Sequence, residues 1–564
     1  MAVAGNPTRP AAPAGRAFWR RLPDPWTVAI VLLALLLATP VLTVFSALLV
    51  PAGEVWHHLV ETVLADYVVN SLLLMLGVAA GALSIGVTGA WLTAQCLFPG
   101  RRLFEWALLL PLAVPAYIIA YTYTGLLDFA GPVQTALRAL FGWSYGDYWF
   151  PPVRSLGGAI AMLSLVLYPY VYLLARAAFL EQSVQALDAA RILGCGPWQR
   201  FLRVTLPGAR PAIIAGLSLA LMETLADYGT VQYFGVQTFT TGIFRTWFGL
   251  GDAGAAAQLA ALLMLFVFAL ILLERRSRHQ ARYHHVGQRS RPLQSVRLTG
   301  WRGWLATLAC ALPLALGFVI PVGQLLLWAL ATLDSTLADP FPTLVWHTLL
   351  LAASAALLAL VLALFMAYGK RLRPGPLVGG AVQVAALGYA IPGTVIAVGV
   401  MLPFGWLDNA VDAWARAEFG RSTGLLLSGT LFALLFAYQV RFLAVALQTV
   451  EAGLGRIKPA MDESARMLGY APRSILRRVH LPMLRGSLLT AILLVFVDVM
   501  KELPATLIMR PFNFNTLAVR AYELASDERL AEAAGPALAI VVAGLLPVIL
   551  LSRSITRSRS TAVG

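Results

Sequence analysis

Charge is what this sequence has least of. Only 12% of its 564 residues are Asp, Glu, Lys or Arg, whereas 59% are hydrophobic and the mean hydropathy is +0.76. Soluble domains carry about a quarter charged residues, so this balance excludes an ordinary soluble enzyme and points to a polytopic membrane protein. Cysteine is also scarce. Cys96, Cys195 and Cys310 lie far apart and make no CxxC or Cys/His spacing suited to zinc or an iron–sulfur cluster. The seven histidines include His57-His58 and His284-His285, both beside span ends, and they form no catalytic constellation. No GxxxxGK[ST] string is present, so the chain has no phosphate-cradling loop of its own. Acids are outnumbered by bases, 27 to 42, giving a formal charge of +15. The bases fall in short clusters between apolar stretches and not along one soluble face, which makes topology, not nucleic-acid binding, their explanation.

What is abundant is long apolar sequence. A helix needs roughly 20 apolar residues to cross the hydrocarbon core. Such runs occur near 27–50, 70–97, 103–127, 157–180, 209–228 and 255–273, and again near 303–330, 345–369, 379–404, 424–448, 485–508 and 533–552. The reading is an all-α membrane protein of about twelve spans. Its expected parts are an N-terminal segment 1–26, a first half 27–273, a basic linker 274–302, a second half 303–552 and a tail 553–564. The first run follows a long polar start and is itself about span length, so it is expected to remain as an anchor. Arg and Lys gather in alternate connections, from Arg16, Arg20 and Arg21 through Arg101 and Arg102, Arg191 to Arg203, Arg275 to Arg278, Lys370 to Arg373, Arg456 to Arg485 and Arg553 to Arg559. The positive-inside rule then puts both termini in the cytoplasm.

The two halves repeat each other. Pro115 in LAVPAYIIA matches Pro392 in GYAIPGTVIA at an offset of 277, Leu180-Glu181 at the end of the fourth span matches Val450-Glu451 at an offset of 270, and beyond that point the offset is 275. Repeats of like direction with six spans each are related by an axis along the membrane normal, with a pathway between them. After the fourth span comes Asp188-Ala189-Ala190, then Gly194, then Leu206-Pro207. The second half has Glu463-Ser464-Ala465, Gly469 and Leu481-Pro482 at identical internal spacing. Small residues keep one side of a short helix slim enough to enter a groove, and glycine permits the turn that ends it. Pro207 and Pro482 are expected to start the next span, where a missing amide costs nothing. His480 stands at the variable position before Leu-Pro and is expected to touch the partner that the loop meets. A connector that merely obeys the positive-inside rule would not need two copies in register.

This pattern closely resembles the EAA loop of ABC importer permeases of the type I, binding-protein-dependent kind. The resemblance implies that 181–207 and 451–482 each seat a coupling helix in an ATPase. It further implies two ABC ATPase subunits that use ATP and Mg, an extracytoplasmic substrate-binding protein, no cofactor on this chain, contact with membrane lipid and none with nucleic acid, and residence in a bacterial inner membrane. The chain is then a transport subunit and not an enzyme.

The fifth spans carry acids in the same 275 register, Glu223 and Asp227 against Asp498 and Glu502. A spacing of four places each pair on one helix face. Charge at that depth costs about 2.5–3.5 kcal/mol near the bilayer centre, so such groups face a cavity or a partner. Two readings stand: they line the pathway, or they pair with Lys501, arginines or backbone amides to lock the halves. Arg176 and Arg441 are expected to snorkel at span ends. The strings ADYGTVQYFG and KELPATLIMRPFNFNTLA resemble fused two-half ferric iron permeases. That likeness implies transient Fe3+ contacts at Glu223, Asp227, Asp498 and Glu502, with Tyr228 beside the path, since hard trivalent iron prefers oxygen. Import of thiamine, sulfate, polyamine or phosphonate is the alternative cargo, and a secondary transporter the remoter one.

Overall fold

The computed structural model describes residues 24–51, 53–144, 146–182, 184–279, 296–334 and 340–560. Nearly all of segment 1–26, most of the linker 274–302, including His284-His285, and the last four residues of the tail lie outside the described residues. Among the described residues eleven helices are long and apolar enough to cross a membrane: Pro25–Leu49, Leu64–Gln95, Leu156–Leu180, Trp198–Ala226 and Ala253–Arg276 in the first half, and Trp301–Ala331, Phe341–Leu372, Gly393–Phe419, Leu431–Gly455, Pro472–Met500 and Leu530–Ile549 in the second. A bent pair, Arg101–Ala113 followed by helix from Ala116, makes a twelfth. The chain is an all-α polytopic membrane protein.

The third span of each half is broken, where the sequence predicts continuous runs over 103–127 and 379–404. In the first half the two segments meet at 91°. Proline is the reason. Val114 and Ile391 are extended, and Pro115 and Pro392 then take φ −57°, ψ 143° and φ −55°, ψ 141° as they cap the helices that follow. A proline disfavours helical geometry in the residue before it and cannot donate to the preceding turn. The fifth spans also stop short, at Ala226 and Met500, before two short helices, Gly229–Tyr233 and Pro504–Met509.

Lipid tails give no hydrophobic push between helices, so close packing needs small residues. In the first half Gly77, Gly81 and Gly86 of the second span admit the fourth: a Cβ on Gly81 would lie 2.3 Å from Ser164 Oγ, and one on Gly86 2.9 Å from the Tyr168 carbonyl oxygen. In the second half Ala352, Ala355, Ala356, Ala359 and Ala363, all fully buried, do the same work in helix Phe341–Leu372, which packs against Leu431–Gly455.

The halves also interlock. The first span packs against the second half's third span so closely that a Cβ on Gly399 would meet the Pro40 carbonyl at 2.4 Å. The last span closes on the first half's break, where a Cβ on Gly544 would lie 2.6 Å from the Ala113 carbonyl. Outward-facing Leu32, Leu35, Leu76, Leu327, Val361 and Leu489 leave an apolar exterior suited to hydrocarbon.

Candidate docking loops and interfacial cavity

The two loops fold alike. Helices Val184–Ile192 and Pro459–Met467 carry the small residues, with Ala190 and Ala465 packed inward and Ala189 and Ser464 outward. Asp188 pairs with Arg191 at 3.0 Å, whereas Glu463 is exposed. Both helices end in the same hydrogen-bonded turn. The Gly194 and Gly469 amides donate to the Arg191 and Arg466 carbonyls, and the Cys195 and Tyr470 amides donate to Ala190 and Ala465. The glycines sit at φ +79° and +80°, the left-handed region that a side chain resists. A Cβ would meet nothing within 4 Å at either, so backbone conformation and not space selects glycine. Just before each turn, Ile192 and Leu193 in one loop and Met467 and Leu468 in the other are 76–90% exposed. Motif reading passed over these four residues, although they also keep the 275 offset.

Two expectations about the loops are corrected. Leu206-Pro207 and Leu481-Pro482 do not begin their spans; helix starts ten residues earlier, at Pro197 and Pro472, and runs on through them. A π-turn over Phe201–Thr205 or Leu476–His480 precedes each proline, the widened turn that accommodates a residue unable to donate. His480 is not placed to touch a partner either. It is fully buried, with Nε2 2.7 Å from Asp462 Oδ1. Arg371 joins them, donating from Nε to Asp462 at 2.7 Å and from its terminal nitrogens to the Leu454 and Ile457 carbonyls. Burial pushes the Asp462 carboxyl up, but the hydrogen bonds from Arg371 and His480 outweigh it and hold the group below its ordinary value.

At the interface of the halves lies a cavity of about 130 Å³. All four span-five acids and Tyr228 line it, but the acids do not act alike. Asp227 and Glu502 are not on the helix face with Glu223 and Asp498, because the helices have already ended; each instead caps the short helix after the break. Asp227 accepts from the Thr230 and Val231 amides and the Thr230 hydroxyl at 3.0–3.1 Å. Glu502 accepts from the Ala505 and Thr506 amides at 3.0 Å and the Thr506 hydroxyl at 2.6 Å. Carboxylates serve this position because they satisfy amides with no intrahelical partner.

Glu502 also pairs with Arg441 at 3.3 Å, both buried, and Arg176 pairs with Glu105 at 3.3 Å. Neither arginine snorkels: each has an acid within reach inside the protein. Gly393 lets the Arg441–Glu502 pair approach the broken span, since a Cβ there would lie 2.4 Å from Arg441 Nη1 and 2.7 Å from Glu502 Oε1.

Asp498 holds Lys501 at 2.9 Å. Glu223 of the other half, with Tyr170 and Tyr389, completes this group around the cavity. Tyr228 is 2% exposed and packs on Phe244 and Tyr522. Among the described residues no three His, Cys, Asp or Glu side chains converge to hold a metal ion. The four acids therefore form no cage in this conformation. Tyr170, Tyr389 and Arg441 were missed as cavity residues because no motif marks them; only the break at Pro392 and the depth of Arg441 in its span carried a signal.

Interrupted spans thus surround a cavity between two halves, each of which carries a loop of the same fold. Residues 21–279 match the family described as binding-protein-dependent transport system inner membrane component. That match spans the first half of the chain, and the second half repeats its loop and its broken spans, so each half is similar to the permeases of that family. The chain is similar over 95% of its length, and 99% of the relative's, to an Fe(3+)-transport system permease protein of Haemophilus influenzae, at 27% identity. A probable ABC transporter permease protein of Sinorhizobium fredii is 23% identical over 86% of both chains. The molybdenum transport system permease protein ModB of Escherichia coli is 29% identical over 34% of this chain and 84% of its own length.

Proposed function

We propose that this permease imports ferric iron, driven by two ATPase subunits that dock on 181–207 and 451–482 and use ATP and Mg, with cargo delivered by an extracytoplasmic binding protein. The observation that carries the docking is the pair of exposed apolar tips, Ile192-Leu193 and Met467-Leu468, presented by identical turns. Asp188, Ala189 and Ala190, with Glu463, Ser464 and Ala465, form the slim helices behind those tips; the helices through Leu206-Pro207 and Leu481-Pro482 carry their motion into the spans that hold the cavity acids. The ATPases lie on the cytoplasmic side with both termini, as the Arg and Lys clusters favour.

The cargo reading rests on two supports. The relative matching end to end is named for Fe(3+), whereas the molybdenum relative spans about a third of the chain. The cavity, moreover, is lined by four carboxylates against two cationic side chains, Lys501 and Arg441, a net charge of −2 that disfavours an oxyanion. The test is reconstitution with the ATPase and binding protein in proteoliposomes. ATP-dependent ⁵⁵Fe uptake is the expected result; uptake of sulfate, molybdate or thiamine in its place overturns the cargo. Orientation is checked by single cysteines: those at Arg203 and Arg478 should resist an impermeant thiol reagent applied outside, and one at Asp412 should react.

A further inference from the structure

Lys501 has no counterpart in the first half. Its position in the 275 register is Ala226, and helix Trp198–Ala226 terminates there without a cation. Ending the helix therefore does not require the lysine. Its ammonium instead sits beside Asp498, at 2.9 Å, in the cavity that Glu223 of the other half also lines. The cavity is far roomier than the about 10–15 Å³ one water needs. A further buried group points to an absent ligand: Tyr117, 5% exposed, lines the same cavity with a hydroxyl that has no hydrogen-bond partner. Asp227 and Glu502 cannot serve that ligand freely, because their oxygens already accept from the backbone.

We infer that Lys501 is a tethered counter-cation, its ammonium standing where a translocated hard cation binds between Glu223 and Asp498 and leaving when the cargo arrives. This rests on the cation reading of the pathway. Oxygen from two carboxylates and from the Tyr117, Tyr170 and Tyr389 hydroxyls suits a hard, multiply charged ion. With the lysine in place the pair of acids is half neutralised, so the site binds cargo weakly enough to release it. Without it, two uncompensated carboxylates face each other across the interface and hold a cation tightly.

The test uses the full chain in nanodiscs of zwitterionic lipid, titrated with Tb3+, a trivalent oxygen-seeking probe whose luminescence is sensitised by nearby tyrosines. Lys501→Gln should tighten binding by about tenfold or more, the scale expected when a unit charge is removed within a few ångströms in a partly dry site. Lys501→Arg should bind as the native chain does. Adding Glu223→Gln and Asp498→Asn to Lys501→Gln should erase the gain. Native affinity in Lys501→Gln, or a gain that survives the triple substitution, overturns the inference; Lys501→Met repeats the test should the glutamine variant fail to reconstitute. Iron uptake by the native complex separates the two readings. Uptake without any tightening refutes the counter-cation and leaves the cargo, whereas tightening without iron uptake keeps the counter-cation and refutes iron.

Discussion

The two candidate docking loops share one backbone and are held by different chemistry. The first is fastened by aromatic packing: Phe201 lies between Trp91, Phe179 and Trp198, with ring centroids 5.2–6.4 Å apart, and Gln182 donates to the Thr205 carbonyl. The second is fastened by charge. Arg371, Asp462 and His480 form a buried cluster, Lys370 pairs with Glu451 at 2.7 Å, and the Tyr368 hydroxyl donates to the Pro472 carbonyl. What the loops have in common is the turn and its apolar tip, the feature proposed above for a partner to recognise, and what differs is how each is tied to its own half.

The largest effect should come from breaking what is shared. Gly194→Val and Gly469→Val each force a β-branched residue into the left-handed region, where even a simple side chain costs about 1–2 kcal/mol. Each variant should insert normally and lose ATP-driven uptake in proteoliposomes, and the two losses should be of similar size. A loop whose glycine can be replaced without loss of coupled transport is not a docking loop.

Next in size is an asymmetry of the cavity. Both halves cap their broken fifth span with a carboxylate, but only Glu502 has an arginine, because the residue aligned with Arg441 in the first half is Val171. Removing one member of a buried pair costs about 3–5 kcal/mol. Arg441→Met should therefore lower the melting temperature of the purified chain markedly. Val171→Ala, a smaller change at the equivalent place, should cost about 1–3 kcal/mol, and equal destabilisation would show that the Arg441–Glu502 pair contributes little.

Smaller again is the aromatic fastening. Phe201→Ala removes a ring that touches three others and should cost about 2–3 kcal/mol. Hydrogen exchange should rise across 184–205 and stay unchanged across 459–480. Spread of the effect into the second loop would mean that the loops are not independently held.

Much of this was legible in the sequence. Span number, the twofold repeat and both loops follow from hydrophobic runs and a motif whose spacing recurs at one offset. The broken spans were half visible: Pro115 and Pro392 were noticed as landmarks of the repeat, yet apolar composition cannot register a break, because the residues on both sides remain apolar. The acids were found for the right reason and given the wrong geometry. Spacing of four implies a shared face only while helix continues, and Asp227 and Glu502 lie one and two residues past its end. His480 was misplaced because its partner is Asp462, eighteen residues away across a turn, a contact that no local pattern records.

The smallest expected effect concerns pH and separates the loops most cleanly. Asp462 titrates below the ordinary carboxylate range, since hydrogen bonds from Arg371 and His480 outweigh its burial. A carboxyl depressed in the folded state contributes stability above its unfolded pKa and loses it as pH falls toward the folded value. Acidification below about pH 4, the ordinary range for aspartate, should thus loosen the second loop more than the first, whose Asp188–Arg191 pair is partly exposed and contributes little. At the water-exposed edge of the protein the effect should be on the order of 1 kcal/mol. It should show as faster hydrogen exchange over 459–480 relative to 184–205 once intrinsic rates are corrected for pH. Asp462→Asn should produce the same loosening at neutral pH and abolish its further growth on acidification; a second loop that loosens with acid as much in this variant as in the native chain would assign the sensitivity to some other group.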